Sequence, residues 1–479
     1  MKLTPSVRLL VLLSLASCGG GKPQGPNILL ITLDTTRADH LGCYGYSRAT
    51  SPELDRLAQE SVVYDNAYAV SSWTMPAHAS LFTGKFPSAH GAKYDPEGAL
   101  KLLDGIDGHP DWDKYRANPI ADDEITLAAL LADHGYATGG VVGGPWMKKP
   151  FRLDRGFQFY DDDNITELNG RDAEDLTRVA KEFMDRNADR PFFLFLNYYD
   201  AHSPFVPKWD HLRRFSDLGP SFQGILNKAS KQQQLSEEEA RILQNALYDS
   251  EIAYADGFMG ELFSHLRAKG LWDDTWIIVT SDHGELMGDP LLGESGLWGH
   301  GNSLSQAEIH IPMVVKYPAV NGEPGRRGRD ETPVQQLDVL PTILQGVGLE
   351  LPEVLAERIQ GNPFDRQNRP VFAEVYPLPM MNSEGKDWRH LGDWRVMFDG
   401  KKKYVWSSEG KHYMVDLAAD PGETLNVLEA GSAEDEKFER RVMNFLRSLP
   451  EPGGVGDVDD LPDDVLKKLK GLGYVDVDD

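Results

Sequence analysis

Asn27-Ile28-Leu29-Leu30-Ile31-Thr32-Leu33 runs directly into Asp34-Thr35-Thr36. The run is apolar and β-branched, with no polar alternation, and predicts a strand buried on both faces as in a parallel sheet. Outward from it, Pro191–Tyr198 (PFFLFLNY) and Thr275–Thr280 (TWIIVT) repeat the pattern, and Ala137–Val142 is a fourth such segment. Helical stretches lie between them. Ser51–Glu60 carries Pro52 in its first turn and Leu54, Leu57 and Ala58 on one face; Ile125–His134, Ala173–Asn187 and much of Glu237–Lys269 follow. Strand, helix, strand repeated in this way predicts an α/β fold: a large, mostly parallel sheet sandwiched by helices. Its chemistry should sit beyond the carboxyl ends of the strands.

After about Leu351 the pattern changes. Arg395–Phe398, Lys403–Trp406 and His412–Val415 are short runs set off by turn residues, with Asp399-Gly400 a hairpin signal. A small antiparallel sheet is expected there, with a helix over Phe438–Leu449. Asp457–Asp479 is acidic, but Leu466, Leu469, Leu472 and Tyr474 imply partial docking. The chain therefore divides into residues 1–17, a leader; 18–26, a flexible tether; 27–350, the main domain; and 351–479, a C-terminal subdomain.

The chain has 479 residues, and 49 basic against 75 acidic side chains give a net charge of −26. That balance argues against a nucleic-acid partner, whose affinity comes from neutralised phosphates, and against docking on anionic lipid. An anionic substrate stays open, because a bound metal inverts the local field. Two cysteines, Cys18 and Cys43, exclude a disulfide framework. Lys2, Arg8 and the apolar Leu9–Leu15 run form an export signal too short to span a bilayer. Leu15-Ala16-Ser17-Cys18 resembles the lipobox of bacterial lipoproteins, which implies an acylated Cys18 at the mature terminus; the alternative is an ordinary export signal with Cys18 incidental. The first reading places the protein in the cell envelope, held to the membrane only by this lipid, with the outer membrane the default since Gly19 is not the Asp of an inner-membrane retention signal.

Three strand ends deliver groups of metal-ligand type: Asp34, the pair Asp282-His283, and Asp200-Ala201-His202. A fourth segment, Ser71–His78 (SSWTMPAH), sets Thr74 at or just before a helix start, where unpaired N–H groups favour developing negative charge. Asp34, Asp282 and His283 with the Thr74 hydroxyl make a hard oxygen set with one nitrogen. It suits one divalent metal, Mn²⁺ or Zn²⁺ ahead of Ca²⁺. Such a metal would lower the Thr74 pKa and make a nucleophile of it.

The chain resembles the sulfatase family of the alkaline phosphatase superfamily. Pro26–Gly45 (PNILLITLDTTRADHLGCYG), Thr74–Gly84 (TMPAHASLFTG), Tyr198–Phe205, Ser281–Glu285 (SDHGE), Trp298–Pro312, Leu337–Leu349 and Met414–Asn426 carry the resemblance, in order along the chain. It implies an alkaline phosphatase-like catalytic domain and a sulfuric ester hydrolase. The departures redirect the chemistry. The family has Cys or Ser, oxidised to formylglycine, where Thr74 stands, and Thr cannot give that aldehyde because its β-carbon bears a methyl group. Thr here resembles the phosphodiesterase, pyrophosphatase and phosphoethanolamine-transferase branches, where Thr attacks phosphorus. Thr35 replaces a second Asp, His283 an Asn or Gln, His78 an Arg and His300 an anion-binding Lys. Gly143-Gly144-Pro145-Trp146 replaces a Gly-Lys-Trp-His stretch, removing a substrate-oxygen lysine.

The resemblance implies two-step hydrolysis of a sulfate or phosphate ester on Thr74. His202 would stabilise the equatorial oxygens, and His300, or His202, would protonate the leaving alkoxide. His78 either orients Thr74 or caps the helix at Ala79. A second metal at Asp200, His202 and His300 is a further reading, with spacing unlike the two-metal members. Arg37 and Lys93 are candidate anion contacts. The substrate would be a small-molecule, glycan or lipid ester. Two alternatives remain: a phosphoethanolamine- or phosphoglycerol-type transferase or phosphodiesterase acting on envelope components, and an inactive substrate-binding lipoprotein. Lys93–Asp122, Lys208–Gln234 and Glu285–Leu297 are expected to be specificity loops.

Overall fold

The computed structural model describes residues 25–213, 219–351, 353–379 and 388–452. The leader, Cys18 and most of the tether, and the Asp457–Asp479 stretch, lie outside the described residues.

Eight strands form the large sheet: β1 (Asn27–Leu33), β2 (Val62–Tyr64), β3 (Ala137–Val142), β4 (Phe159–Asp161), β5 (Phe192–Tyr198), β6 (Thr275–Thr280), β7 (Met313–Lys316) and β8 (Gly328–Asp330). Their spatial order is β8-β2-β7-β6-β1-β5-β3-β4. β6, β1, β5, β3 and β4 are parallel neighbours, and β7 runs antiparallel to both β6 and β2. The helices that matter here are α1 (Pro52–Gln59), α2 (Thr74–Thr83), α3 (Leu127–Asp133), α4 (Ala173–Arg186), α5 (Glu237–Ala268), α6 (Val339–Gly346) and α7 (Ala433–Ser448).

Side chains alternate across a strand, so a strand covered on both faces must be apolar at every position. In β1, Ile28 and Leu30 join the core with α2, α3 and α6, while Leu29, Ile31 and Leu33 join the core with α1, α4 and α5. This is why NILLITL reads as a continuous run. α5, a 32-residue helix, opens on a capping box: Ser236 Oγ accepts from the Glu239 amide and the Glu239 carboxylate accepts from the Ser236 amide.

A second sheet of four antiparallel strands follows: β9 (Phe372–Val375), β10 (Trp394–Asp399), β11 (Lys402–Ser407) and β12 (Tyr413–Asp416). Gly400, at φ 61°, turns β10 into β11 as the Asp-Gly signal predicts. One face of this sheet carries Trp394, Val396, Val405, Tyr413 and Val415 into the same core as α2 and α6. The other packs Met397, Tyr404 and Met414 against Phe438 and Val442 of α7. None of the described helices is long and apolar enough to cross a membrane.

Some segments expected as loops have regular structure. Residues 286–291 and 294–299 form an antiparallel ribbon, and Gly219–Ser230 is a helix. Residues 100–101 pair with 116–117. Thr32 opposite Thr280 and Leu33 opposite Tyr198 fix the register that brings the residues after β1, β5 and β6 to one end of the sheet.

Candidate active site

Asp34, Asp282 and His283 meet at that end, fully buried, with one donor atom from each within 4.8 Å of the others. Thr74, the first residue of α2, joins them: its Oγ1 lies 3.3 Å from His283 Nε2. His283 Nε2 is also 3.3 Å from Asp282 Oδ2. His283 Nδ1 faces the Gly284 carbonyl oxygen at 2.9 Å, and a carbonyl only accepts, so the proton is on Nδ1 and the Nε2 lone pair points into the site. Burial, with the neighbouring charge of His300, pushes the His283 pKa down to about 4, so the ring is neutral.

The carboxylates are held from behind. Asp282 Oδ1 accepts from the amides of Thr35 (3.1 Å) and His283 (2.9 Å). Asp34 Oδ2 accepts from Asn197 Nδ2 at 3.1 Å. That leaves Asp34 Oδ1 and Asp282 Oδ2 buried with no partner. Burial and the Asp282 charge push the Asp34 pKa well up; burial also opposes ionisation of Asp282, but His283 and His78 outweigh it and draw that pKa down. Two orphaned carboxylate oxygens facing a neutral imidazole lone pair and a hydroxyl are a cation's ligand set lacking its counter-charge. The donors present therefore fit the metal that the sequence predicts at Asp34, Asp282, His283 and Thr74.

The loop after β1 stores strain to achieve this. Thr35 has φ 54°, rare for a β-branched residue. Its carbonyl accepts from Tyr248 Oη (2.7 Å) and its Oγ1 donates to the Ala201 carbonyl (2.9 Å), which turns its amide onto Asp282. Ser281 Oγ donates to the Leu33 carbonyl (2.7 Å), and Gln336 Nε2 donates to the Ser281 carbonyl (2.8 Å).

His78 is buried under Thr74. Its Nδ1 donates to the Thr74 carbonyl at 2.9 Å, and Nε2 lies 3.0 Å from Thr32 Oγ1. It therefore anchors the backbone that carries the hydroxyl and does not cap Ala79. Burial holds its pKa below the usual value. Trp73, just before Thr74, packs edge-on against Trp146, ring centroids 5.0 Å apart.

Two more imidazoles border the cluster. His300 lies ring to ring with His283, centroids 4.6 Å apart, and its Nδ1 is 2.7 Å from Glu285 Oε2. Burial opposes its charge, but the Glu285 carboxylate outweighs that and raises its pKa. His202 stands edge-on to His300 (5.0 Å) and stacks on Tyr199 (4.4 Å, 17°). Its Nδ1 donates to the Ser203 carbonyl. Burial and the charges of His300 and His283 push its pKa well down.

Two expectations need correction. Asp200 does not join His202 and His300: its Oδ1 accepts from the Ala173 amide at the start of α4 (3.1 Å), on the face of the sheet that packs against α5, and the second metal trio is not assembled among the described residues. Arg37 is not open to substrate; it is buried and bonded to Asp39 and Asp289, each at 2.8 Å. Lys93 sits over the Tyr376 ring, 4.2 Å from its centroid. Sequence reasoning missed Asn197, Glu285, Ser281, Tyr248 and Gln336. Asn197 had a signal, as the one amide inside the apolar PFFLFLNY strand.

A profile of the Sulfatase family matches residues 26–349. The chain is 24% identical to an N-acetylglucosamine-6-O-sulfatase of Bacteroides thetaiotaomicron, with 96% of this chain and 93% of that protein covered. It is 28% identical to a multifunctional alkaline phosphatase superfamily protein of Trinickia caryophylli, over 84% and 91% of the two chains. In three dimensions it resembles a protein solved in complex with its substrate D-glucosamine-2-N,6-O-disulfate: TM-score 0.64, 20% identity, 88% of this chain and 97% of that chain covered. It also resembles a phosphonate monoester hydrolase from Silicibacter pomeroyi: TM-score 0.61, 20% identity, 89% and 96% covered. These likenesses establish the fold, large sheet and small C-terminal sheet together.

Proposed function

The chain belongs to the sulfatase family, and from that premise we propose that it hydrolyses singly charged sulfate or phosphate esters through a covalent intermediate on Thr74. The observation that carries this reading is the Thr74 hydroxyl at a helix N-terminus, beside a neutral His283 and two buried acids with unpartnered oxygens. Asp34, Asp282, His283 and Thr74 would hold one divalent cation. That cation would supply Lewis acidity, lowering the Thr74 pKa and offsetting charge on the transferred group.

Thr74 Oγ1 attacks sulfur or phosphorus in line as the alkoxide, its proton already lost to bulk water, and the bond to the leaving oxygen breaks. His300 gives that oxygen its proton. Its Nδ1 is tied to Glu285, its Nε2–H has no partner among the described residues, and the Glu285 carboxylate favours its charged form. Water then attacks the Thr74 ester and releases sulfate or the phosphate product, with His300 taking the proton back. The amides opening α2 favour negative charge on the transferred group. His202, neutral and with its proton on Nδ1, offers a lone pair, so it serves neither as acid nor as donor to the equatorial oxygens.

The charge count supports a singly charged centre. Apart from the cation, the site brings one imidazolium, His300, while Arg37 is neutralised by Asp39 and Asp289. Sulfate monoesters and phosphate diesters carry one negative charge at the reacting group; phosphate monoesters carry two near neutrality and fit less well. Turnover of 4-nitrophenyl sulfate, bis(4-nitrophenyl) phosphate and 4-nitrophenyl phosphate by metal-reconstituted protein tests this. The reading requires one of the first two to lead, and the monoester leading would overturn it.

We also propose that Cys18 is acylated and tethers the enzyme to the cell envelope. This rests on residues 2–18 alone. Radiolabelled palmitate should enter the wild type and not Cys18→Ser.

A further inference from the structure

Tyr199 has no assigned role, yet its ring is closely held against His202, which borders the cluster. Its position in the chain, directly after β5 and three residues before His202, puts it at the carboxyl end of the central strands. A Cβ on Gly144 would lie 2.8 Å from Tyr199 Cδ2, and one on Gly170 would lie 2.3 Å from Cδ1. Gly143 is as tight, 2.9 Å from Tyr199 Cβ. The ring also stacks on His202. Any side chain at 144 or 170 would displace the ring, so the glycine loop is shaped to seat an aromatic there. Asn197 locks the loop by accepting from the Gly144 amide at 3.0 Å, while its other end holds Asp34.

The residue is buried, but its hydroxyl has no hydrogen-bond partner among the described residues. The ring lies against Gly144, which Asn197 joins to Asp34, and burial, then the charges of Asp34, Asp282 and Glu285, push the Tyr199 pKa well up, so its hydroxyl keeps its proton. The surrounding imidazoles cannot fill that role. His283 and His202 both carry their proton on Nδ1, bonded to backbone carbonyls, and present Nε2 lone pairs. His300 gives its Nδ1–H to Glu285, and its remaining Nε2–H is assigned above to the leaving oxygen.

We propose that Tyr199 is a catalytic residue whose hydroxyl donates a hydrogen bond to a non-bridging oxygen of the sulfuryl or phosphoryl group as Thr74 attacks it. The ring clamp fixes the donor before substrate arrives, which is what makes such a donor effective. The bond stays O–H···O throughout; no proton is transferred. The proposal rests on the Thr74 reading for its reaction, but anion binding tests it separately.

Tyr199→Phe removes the hydroxyl and keeps the clamp. The prediction is a fall in kcat/KM of about 100-fold for both 4-nitrophenyl sulfate and bis(4-nitrophenyl) phosphate. Melting temperature and metal content should not move. The fall should be equal across aryl esters of different leaving-group pKa, whereas His300→Gln should penalise poor leaving groups most. Orthovanadate, whose equatorial oxygens mimic the transferred group, should bind Tyr199→Phe at least tenfold more weakly than wild type by calorimetry. Gly144→Ala, which displaces the ring, should lower the same two quantities. Vanadate affinity within twofold of wild type, or a rate loss that tracks leaving-group pKa or comes with lost metal, would overturn the proposal. A wild type that binds vanadate but turns over neither ester would refute the hydrolase reading and leave the vanadate comparison to decide on Tyr199.

Discussion

At the scale of single residues, the site works by leaving some atoms unsatisfied and holding all their neighbours. Asp34 and Asp282 each present one oxygen inward because the other is occupied by Asn197 or by two backbone amides. Asn197→Ala should therefore weaken metal binding about 10- to 100-fold while the acids themselves remain, as loss of a supporting hydrogen bond does; titration with a chelator measures it. On the proposed mechanism, His300 sets a pH limb. Its pKa is raised by Glu285, so the required imidazolium is present below that pKa and lost as pH climbs through it. The kcat profile should fall on the alkaline side at a pH above the usual histidine value of about 6.5. Glu285→Gln should move that limb to lower pH, and a limb that stays in place would remove His300 as the acid. The strained Thr35 shows how far a residue's role can lie from its type: its hydroxyl is turned away to Ala201 and its amide does the work.

At the scale of elements, the strands that carry the site were legible as continuous apolar runs, and the residues just after them supply three of the four inward-facing groups. β2, β7 and β8 were not, because they have only 3, 4 and 3 residues, too few to set a periodicity. Glu285–Leu297, expected as a specificity loop, holds most of the ribbon instead; Gly288, Gly293 and Gly296 break any alternation there, and all three adopt positive φ. Asp200 misled for a related reason: two residues after a strand, a side chain can face either side, and the α4 amide at Ala173 captured this one. Within the C-terminal unit, Lys403 Nζ and Glu423 Oε1 form a buried ion pair at 2.6 Å, and Glu423 ties that unit to the main domain by accepting from the Gln306 amide. Glu423→Ala would strand a buried ammonium, and the chain should lose about 3–5 kcal/mol in denaturant melts. Replacing both, Lys403→Met with Glu423→Leu, should recover most of that loss.

At the scale of the whole molecule, stability and function draw on different acids. Asp200 and Glu251 lie buried on the α5 side of the sheet, each with one oxygen unpartnered. Burial pushes their pKa values up to about 7 and about 9. A carboxyl raised on folding stabilises the fold while it is protonated in both states; that contribution shrinks once pH passes the unfolded value, about 4, and is gone above the folded one. Melting temperature should thus decline from pH 5 to pH 9, and Glu251→Gln should flatten the slope. An unchanged slope would mean that these groups ionise freely in the native state. The fold as a whole was readable because its central sheet is buried on both faces. The assembly of the site around it was readable only in part, since Asn197, Glu285, Tyr199 and Gln336 act through contacts between segments distant in the chain, which no local pattern encodes.

The most direct measurement of the central claim is rapid acid quench of the His300→Gln enzyme during turnover of 4-nitrophenyl sulfate or bis(4-nitrophenyl) phosphate, followed by mass spectrometry of the peptide spanning Thr74. The account predicts a sulfuryl or aryl-phosphoryl adduct on Thr74 and none in Thr74→Ala. An adduct on another residue, or full turnover by Thr74→Ala, would contradict it.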